Sequence, residues 1–100
     1  MDLGIDLGTA NTVVSDFRRG VVFDEPSVML RRAGGGRRER ILAVGREASD
    51  LLGRAPSTFV AVRPLNDGVV TDLETARLYL RAVLKRAGRR VNKSVPSKFN

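Results

Sequence analysis

The spacing of apolar residues changes once along this 100-residue chain, near the turn residues Pro64, Asn66, Asp67 and Gly68, and this change restricts the fold most. Before the turn, short runs rich in β-branched residues are separated by Gly and Pro, a pattern that predicts strands. After it, in residues 73–87, apolar residues recur at intervals of three and four, which predicts one long helix with an apolar stripe. The sequence therefore predicts an α/β fold.

The first four predicted strands form an N-terminal β-meander, and a short helix lies between the fifth and the sixth predicted strand. The strands are residues 3–6, 12–17, 21–23, 28–30, 41–44 and 59–62, and the short helix is residues 46–52. Gly53 is placed to stop that helix. Residues 31–40 hold three consecutive glycines among five arginines, which predicts an exposed loop because this composition cannot pack into a core.

The long helix has a predicted start and a predicted end. Thr71 and Glu74 fit a capping box, in which each side chain accepts a hydrogen bond from the other residue's backbone amide. Gly88 fits a C-terminal cap. Residues 91–100 contain Pro96 and little periodic apolar pattern, so we expect one domain over residues 1–90 and an irregular C-terminal tail over residues 91–100.

Composition excludes several classes of protein. The chain has no cysteine, so it can form neither disulfides nor a thiolate metal site. It has no apolar run of about 20 residues and no secretion signal, so we expect a cytoplasmic protein. The net charge is +7, and sixteen of the 18 basic residues lie in residues 31–100. A basic surface of this kind is compatible with binding to nucleic acid or an anionic membrane, but it is also the ordinary character of a solvated face.

The residues with the clearest chemistry are Asp6, Gly8, Thr9 and Thr12, in the segment Gly-Ile-Asp-Leu-Gly-Thr-Ala-Asn-Thr that joins the first two predicted strands. Gly8 lets the backbone approach a phosphate without a Cβ in the way, and the turn amides and Thr hydroxyls can donate to phosphate oxygens. Asp6 can hold a water molecule of a bound magnesium ion. The same spacing occurs in ordinary tight hairpins, so these residues alone leave both interpretations open.

The complete string resembles the first phosphate motif of the superfamily that includes actin, sugar kinases and DnaK-type chaperones, and its Thr-Ala-Asn-Thr ending is similar to MreB-type bacterial actins. Four later segments resemble MreB as well: Asp-Glu-Pro-Ser-Val at 24–28, Ala-Val-Gly-Arg-Glu-Ala at 43–48, Leu-Gly-Arg-Ala-Pro at 52–56 and Arg-Pro-Leu-Asn-Asp-Gly-Val-Val-Thr-Asp at 63–72. The chain therefore resembles the N-terminal portion of an MreB/Mbl-type protein.

This resemblance implies a partial actin-like, ribonuclease-H-like ATPase domain with a mixed sheet and flanking helices. It implies ATP and Mg²⁺ as cofactors, with Asp6 holding the magnesium ion through water. The implied phosphate contacts are Gly8, Thr9, Ala10, Asn11 and Thr12. The implied partners are further copies of the protein in a filament, the inner face of the cytoplasmic membrane and the cell-wall synthesis machinery, which together direct rod-shaped growth; nucleic acid is not an expected partner.

Family chains are several times longer, and the remaining portion would hold the second phosphate clamp and the groups that position the attacking water. We therefore assign no catalytic residue, and we expect this chain alone to bind ATP weakly or not at all and not to hydrolyse it. Two other functions stay open at this stage. One is a DnaK-like chaperone or sugar-kinase relative, against which the Thr-Ala-Asn-Thr string and residues 63–72 count; the other is a small basic module that binds nucleic acid or anionic lipid.

Overall fold

The computed structural model describes residues 2–32, 41–54 and 59–94, with side chains described as far as Arg89. Eight strands and two helices follow one another in these ranges. They are β1 (Leu3–Leu7), β2 (Asn11–Asp16), β3 (Gly20–Pro26), β4 (Met29–Arg32), β5 (Ile41–Val44), α1 (Gly45–Leu52), β6 (Phe59–Val62), β7 (Leu65–Asn66), β8 (Val69–Val70) and α2 (Leu73–Ser94).

The strands form two three-stranded sheets and one short hairpin. In the first sheet the order is β1-β2-β3, with antiparallel pairing that places Asp6 opposite Val13 and Val13 opposite Asp24. In the second sheet β4 lies between β5 and β6 and pairs antiparallel with both. The hairpin joins β7 to β8 through Asp67 and Gly68. The predicted α/β fold and its N-terminal meander are therefore present.

The core lies between the first sheet and α2. The buried side of α2 consists of Ala76, Tyr79, Val83 and Ala87, which are spaced three or four residues apart and therefore share one face of the helix. Tyr79, Val83 and Ala87 belong to one buried cluster with residues of the sheets, namely Val14, Val22, Phe23, Met29 and Val44. A second, smaller cluster lies under α1 and is formed by Val28, Leu30, Ala43 and Ala48. The predicted apolar stripe is thus confirmed in part: Ala76, Val83 and Ala87 lie on the buried face. Leu73 and Leu84 have the same spacing but are exposed.

The start of α1 is fixed by a carboxylate from another strand. Val44, the residue before the helix, makes no side-chain cap. Glu25 of β3 takes this role: its Oε1 accepts a hydrogen bond of 2.9 Å from the Arg46 amide, and the side chain is only 2% exposed. Gly45 has φ +67°, and a Cβ there would lie 2.4 Å from the same Glu25 oxygen. Glycine is therefore required at this position by both conformation and space.

The start of α2 is one residue later than the capping-box prediction. Asp72 is the capping residue, since its Oδ1 accepts a hydrogen bond of 2.9 Å from the Thr75 amide and its Oδ2 accepts one from the Thr75 hydroxyl. The Thr71 hydroxyl instead donates to the carbonyls of Arg63 and Pro64 at 3.2 and 3.3 Å. The prediction that Thr71 caps this helix is wrong because its hydroxyl holds the preceding turn.

The end of α2 also differs from the prediction. The helix passes through Gly88 and continues to Ser94, so Gly88 is not its C-terminal cap. Gly88 is not among the glycines with positive φ, and a glycine inside a helix costs only about 1 kcal/mol relative to alanine. The first four residues of the predicted irregular tail are therefore helical, while residues 95–100 lie outside the described part.

The predicted basic loop is also only partly covered. Arg31 and Arg32 belong to β4, and residues 33–40 lie outside the described residues. Within the described ranges, neither helix combines the length and the apolar character needed to cross a membrane.

Candidate functional site

The turn between β1 and β2 holds the predicted phosphate-binding residues. The Gly8 amide donates to the Asn11 carbonyl at 3.0 Å and closes the turn. A Cβ on Gly8 would lie 2.7 Å from that same carbonyl oxygen, so a larger residue would push the two backbone segments apart. Thr9, Ala10 and Asn11 are exposed at the tip. The turn is therefore tight on its inner side and open on its outer side.

Thr9 connects this turn to the β7–β8 hairpin. Its Oγ1 accepts a hydrogen bond of 2.7 Å from the Gly68 amide. Asp67 and Gly68 have φ values of 52° and 79°, the conformation of a two-residue hairpin turn with both central residues left-handed. A hydroxyl can donate as well as accept, so Thr9 can still give its proton to an anion outside the turn.

Asp6 lies on the exposed face of the first sheet, one residue before the end of β1. The register places it in one row with Val13 and Asp24, so both carboxylates lie on the same face with a strand between them. Two strand spacings separate them, about 10 Å. Asp24 Oδ1 accepts a hydrogen bond of 3.3 Å from the Asn11 side-chain amide. Among the described residues, no group of three or more acidic, His or Cys side chains could hold a metal ion directly.

Thr12 is the one predicted site residue whose side chain faces the interior. It is fully buried, and its hydroxyl lies 2.8 Å from the Ser27 hydroxyl and accepts a hydrogen bond of 2.7 Å from the Tyr79 hydroxyl. Ser27 Oγ in turn donates to the Gly8 carbonyl at 2.6 Å, and the Ser27 amide donates to the Ala10 carbonyl at 2.9 Å. The structure therefore gathers Gly8, Thr9, Ala10 and Asn11 at the surface and places Thr12 beneath them.

Three residues that contact this turn were not predicted as part of it: Ser27, Gly68 and Tyr79. Ser27 and Gly68 lie in segments that resemble MreB, so their position near the turn could have been suspected from the motifs. Tyr79 carries no such signal, since it lies among ordinary core positions of a helical stripe. Burial raises the pKa of Tyr79 above its ordinary value of 10.0, because the phenolate would lose its hydration there.

Comparisons with known proteins agree with the motifs. The family model described as MreB/Mbl protein matches residues 1–98. The cell shape-determining protein MreB of Haemophilus influenzae is 47% identical over 85 residues, which are 84% of this chain and 24% of the relative. The cell shape-determining protein Mbl of Bacillus subtilis is 45% identical over 80 residues, which are 80% of this chain and 23% of the relative.

A solved structure matches the fold as well. The crystal structure of MreB5 of Spiroplasma citri bound to AMPPNP superposes with a TM-score of 0.70 at 34% sequence identity, covering 84% of this chain and 24% of that chain. The same protein bound to ADP gives a TM-score of 0.70 at 33% identity. The chain thus spans about a quarter of the length of the proteins it matches. These matches confirm the predicted resemblance and the partial actin-like fold.

Proposed function

Because this chain belongs to the MreB/Mbl protein family, we propose that it forms the N-terminal, nucleotide-binding part of a cytoskeletal protein that determines cell shape. The observation that carries the proposal is the β1–β2 turn, whose inner side is held by Ser27 and whose exposed residues face outward beside Asp6. The matched relatives are MreB and Mbl proteins, and nothing favours the three alternatives, a chaperone, a sugar kinase or a small basic module that binds nucleic acid or anionic lipid.

The phosphate-binding part of the proposal concerns the exposed turn. Gly8 allows a close approach, and the amides and hydroxyl at the tip supply donors for phosphate oxygens. Asn11 adds its side-chain amide, which also contacts Asp24. Thr12 belongs to the site as its support, because its hydroxyl is buried and bonded to other residues. The structures of MreB5 with AMPPNP and with ADP support a nucleotide as the ligand.

In the same proposal Asp6 holds a Mg²⁺ ion through one of the water molecules bound to the ion. Magnesium binds proteins through one or two carboxylates together with substrate phosphates, and it keeps several water molecules. A single exposed carboxylate beside a phosphate turn fits that donor set, whereas direct binding between Asp6 and Asp24 does not, because the two are about 10 Å apart. When bound, the ion would neutralise phosphate charge next to the Asp6 carboxylate.

We further propose that the protein assembles with copies of itself in the cytoplasm, at the inner face of the membrane and with the cell-wall synthesis machinery. Residues 1–90 would form the domain part and residues 91–100 the segment leading out of it. The exposed side chains of Phe17, Val21, Val69 and Leu73, between 60% and 89% accessible, support contacts with further protein. A single turn gives a nucleotide one wall of its site, so the chain alone would bind ATP weakly and would not hydrolyse it.

The test measures ATP binding by calorimetry in a completed chain, in which these 100 residues replace the matching segment of the Haemophilus influenzae relative. Magnesium-dependent binding is expected, at least tenfold tighter than in the 100-residue chain. Asp6→Asn should weaken ATP binding about tenfold, which corresponds to a loss of roughly 1.4 kcal/mol of binding free energy. Asp50→Asn, which removes an exposed carboxylate on α1, is the matched control and should leave the affinity unchanged. Equal effects of the two substitutions, or binding without magnesium at full affinity, would count against the proposal.

A further inference from the structure

We propose that Tyr79 and Ser27 are positioning residues of the phosphate turn, linked by a chain of hydroxyl groups that runs from the middle of α2 to the Gly8 carbonyl. The inference rests on the proposed function, because it concerns the same turn. It adds two residues to the site, one of them 67 positions away in sequence from the Thr12 hydroxyl that it contacts.

The direction of the chain of hydroxyls follows from counting protons. Each hydroxyl has one proton to donate. Ser27 uses its proton on the Gly8 carbonyl at 2.6 Å. Thr12 must therefore be the donor in its 2.8 Å contact with Ser27, and Tyr79 donates to Thr12 at 2.7 Å. The order is Tyr79 to Thr12 to Ser27 to the Gly8 carbonyl, with every donor used once.

The hydrogen bonds that Ser27 makes with two carbonyls of the turn also fix the direction of the neighbouring backbone amides. In a trans peptide the carbonyl of one residue and the amide of the next point in opposite directions, and the described residues contain no cis peptide. Ser27 holds the Gly8 carbonyl with its hydroxyl and the Ala10 carbonyl with its amide. The amides of Thr9 and Asn11 therefore point away from Ser27. Successive amides held in this way form a concave site for an anion.

Burial makes the turn sensitive to the loss of any one of these three hydroxyl groups. Tyr79, Thr12 and Ser27 all have an exposure of 0%, so bulk water does not replace a lost partner. In the described residues no buried side-chain nitrogen or oxygen lacks a hydrogen-bond partner. If the Tyr79 hydroxyl were removed, the Thr12 hydroxyl would lose the hydrogen bond that it accepts. The Thr12 and Ser27 hydroxyls would then be free to rotate away from their present partners. The effect would reach the Gly8–Thr9 peptide.

The first test uses the nucleotide-free 100-residue chain and follows the Thr9 amide resonance by NMR. Tyr79→Phe keeps the ring and removes only the hydroxyl, and it should move that resonance. Val83→Ala is the control, because it creates a cavity on the same buried face of α2 without touching the hydroxyls, and it should leave the Thr9 resonance in place. Thr12→Val should reproduce the shift, whereas Thr12→Ser, which keeps a hydroxyl, should restore the original position.

The second test measures ATP affinity in the completed chain. Tyr79→Phe should weaken binding about two- to fivefold, the effect of losing one neutral hydrogen bond, while Val83→Ala should not. The inference is overturned if Tyr79→Phe leaves the Thr9 resonance unmoved, if Val83→Ala moves it equally, or if Thr12→Ser fails to restore it. If the unmodified completed chain does not bind ATP, the proposed function fails, but the nucleotide-free resonance still decides whether the hydroxyls position the turn.

Discussion

At the scale of single residues, the structure depends on a few positions where contacts with a neighbouring backbone or side chain require the residue that is present. Gly8, Gly45 and Ser27 are such positions, since each contacts a segment distant in sequence or a tight turn. The sequence identified Gly8 because a glycine between an acid and a threonine is a known turn pattern. It did not identify the roles of Gly45 and Ser27, because these depend on where Glu25 and the turn lie in three dimensions.

Gly45→Ala is predicted to destabilise the protein by about 3 kcal/mol, from a left-handed φ for alanine and from overlap with Glu25. The new Cβ would lie 2.4 Å from the Glu25 Oε1 and 3.1 Å from the Phe23 ring. Gly53→Ala at the other end of α1 is the control, because Gly53 has φ −71° and its nearest contact would be 3.8 Å. Urea unfolding of both variants checks the prediction, and a similar midpoint for the two would contradict it.

The ionised Asp72 carboxylate should stabilise the protein above about pH 3.8. Hydrogen bonds from the Thr75 hydroxyl and the Thr75 amide lower the pKa of the Asp72 carboxyl from its ordinary value of 3.8. Because the folded state prefers the ionised form, this stabilisation is present above pH 3.8 and is lost as the pH falls through the folded-state pKa. Asp72→Asn can still cap the helix but does not titrate. Urea unfolding should show the wild-type advantage shrinking below pH 3.8, and an advantage independent of pH would argue against this role.

At the scale of secondary structure, α2 is the element that the sequence predicts best and also the one with the most informative errors. Its apolar face can be predicted from periodicity, because residues three or four positions apart lie on the same side of a helix whatever the helix packs against. Its ends were predicted from single cap residues and were wrong at both. Thr71 and Asp72 are both competent caps, and only the position of Pro64 shows which one faces the helix.

The continuation of α2 through Gly88 predicts that Gly88→Ala will stabilise the protein. A Cβ at Gly88 would meet nothing within 4 Å, and alanine favours a helix interior over glycine by about 0.5–1 kcal/mol. If Gly88 were a left-handed C-terminal cap, the same substitution would destabilise by a similar amount or more. The sign of the change in thermal unfolding midpoint distinguishes these two descriptions of the helix.

Tyr79 allows the packing of α2 on the sheet to be measured optically, because the chain has one tyrosine and no tryptophan. Burial raises the pKa of Tyr79 above 10.0, so the folded chain should show little phenolate absorbance at a pH where the urea-unfolded chain is half ionised. Because the folded state prefers the protonated phenol, the contribution of Tyr79 to stability should be constant below pH 10.0 and should be lost as the pH rises through the folded-state pKa. A normal titration in the folded chain would show that the ring is accessible to solvent.

At the scale of the whole molecule, the α/β class and the order of six strands and two helices could be predicted from sequence, and five motifs identified the family. The two short strands β7 and β8 were not predicted. The contacts that shape the site could not be predicted in the same way. The Thr9–Gly68 and Thr12–Tyr79 hydrogen bonds join positions 59 and 67 residues apart, and local patterns carry no information on such pairs. The inward orientation of Thr12 follows from strand alternation once the buried face of β2 is known, but the sequence of a hairpin does not reveal which face is buried.

We propose that the turn from Gly8 to Thr12 binds the phosphates of a nucleotide together with the metal ion of that nucleotide. Mn²⁺·ATP tests it most directly, since the paramagnetic ion broadens the NMR signals of nearby amides even when binding is weak. In the isotope-labelled 100-residue chain, millimolar Mn²⁺·ATP should first broaden the amides of Thr9, Ala10 and Asn11, and Asp6→Asn should reduce that effect, while Mn²⁺ without nucleotide should not reproduce it. Broadening centred on another surface, or no broadening at the turn when the chain is completed with the remaining part of the relative, would show that the turn does not bind the nucleotide.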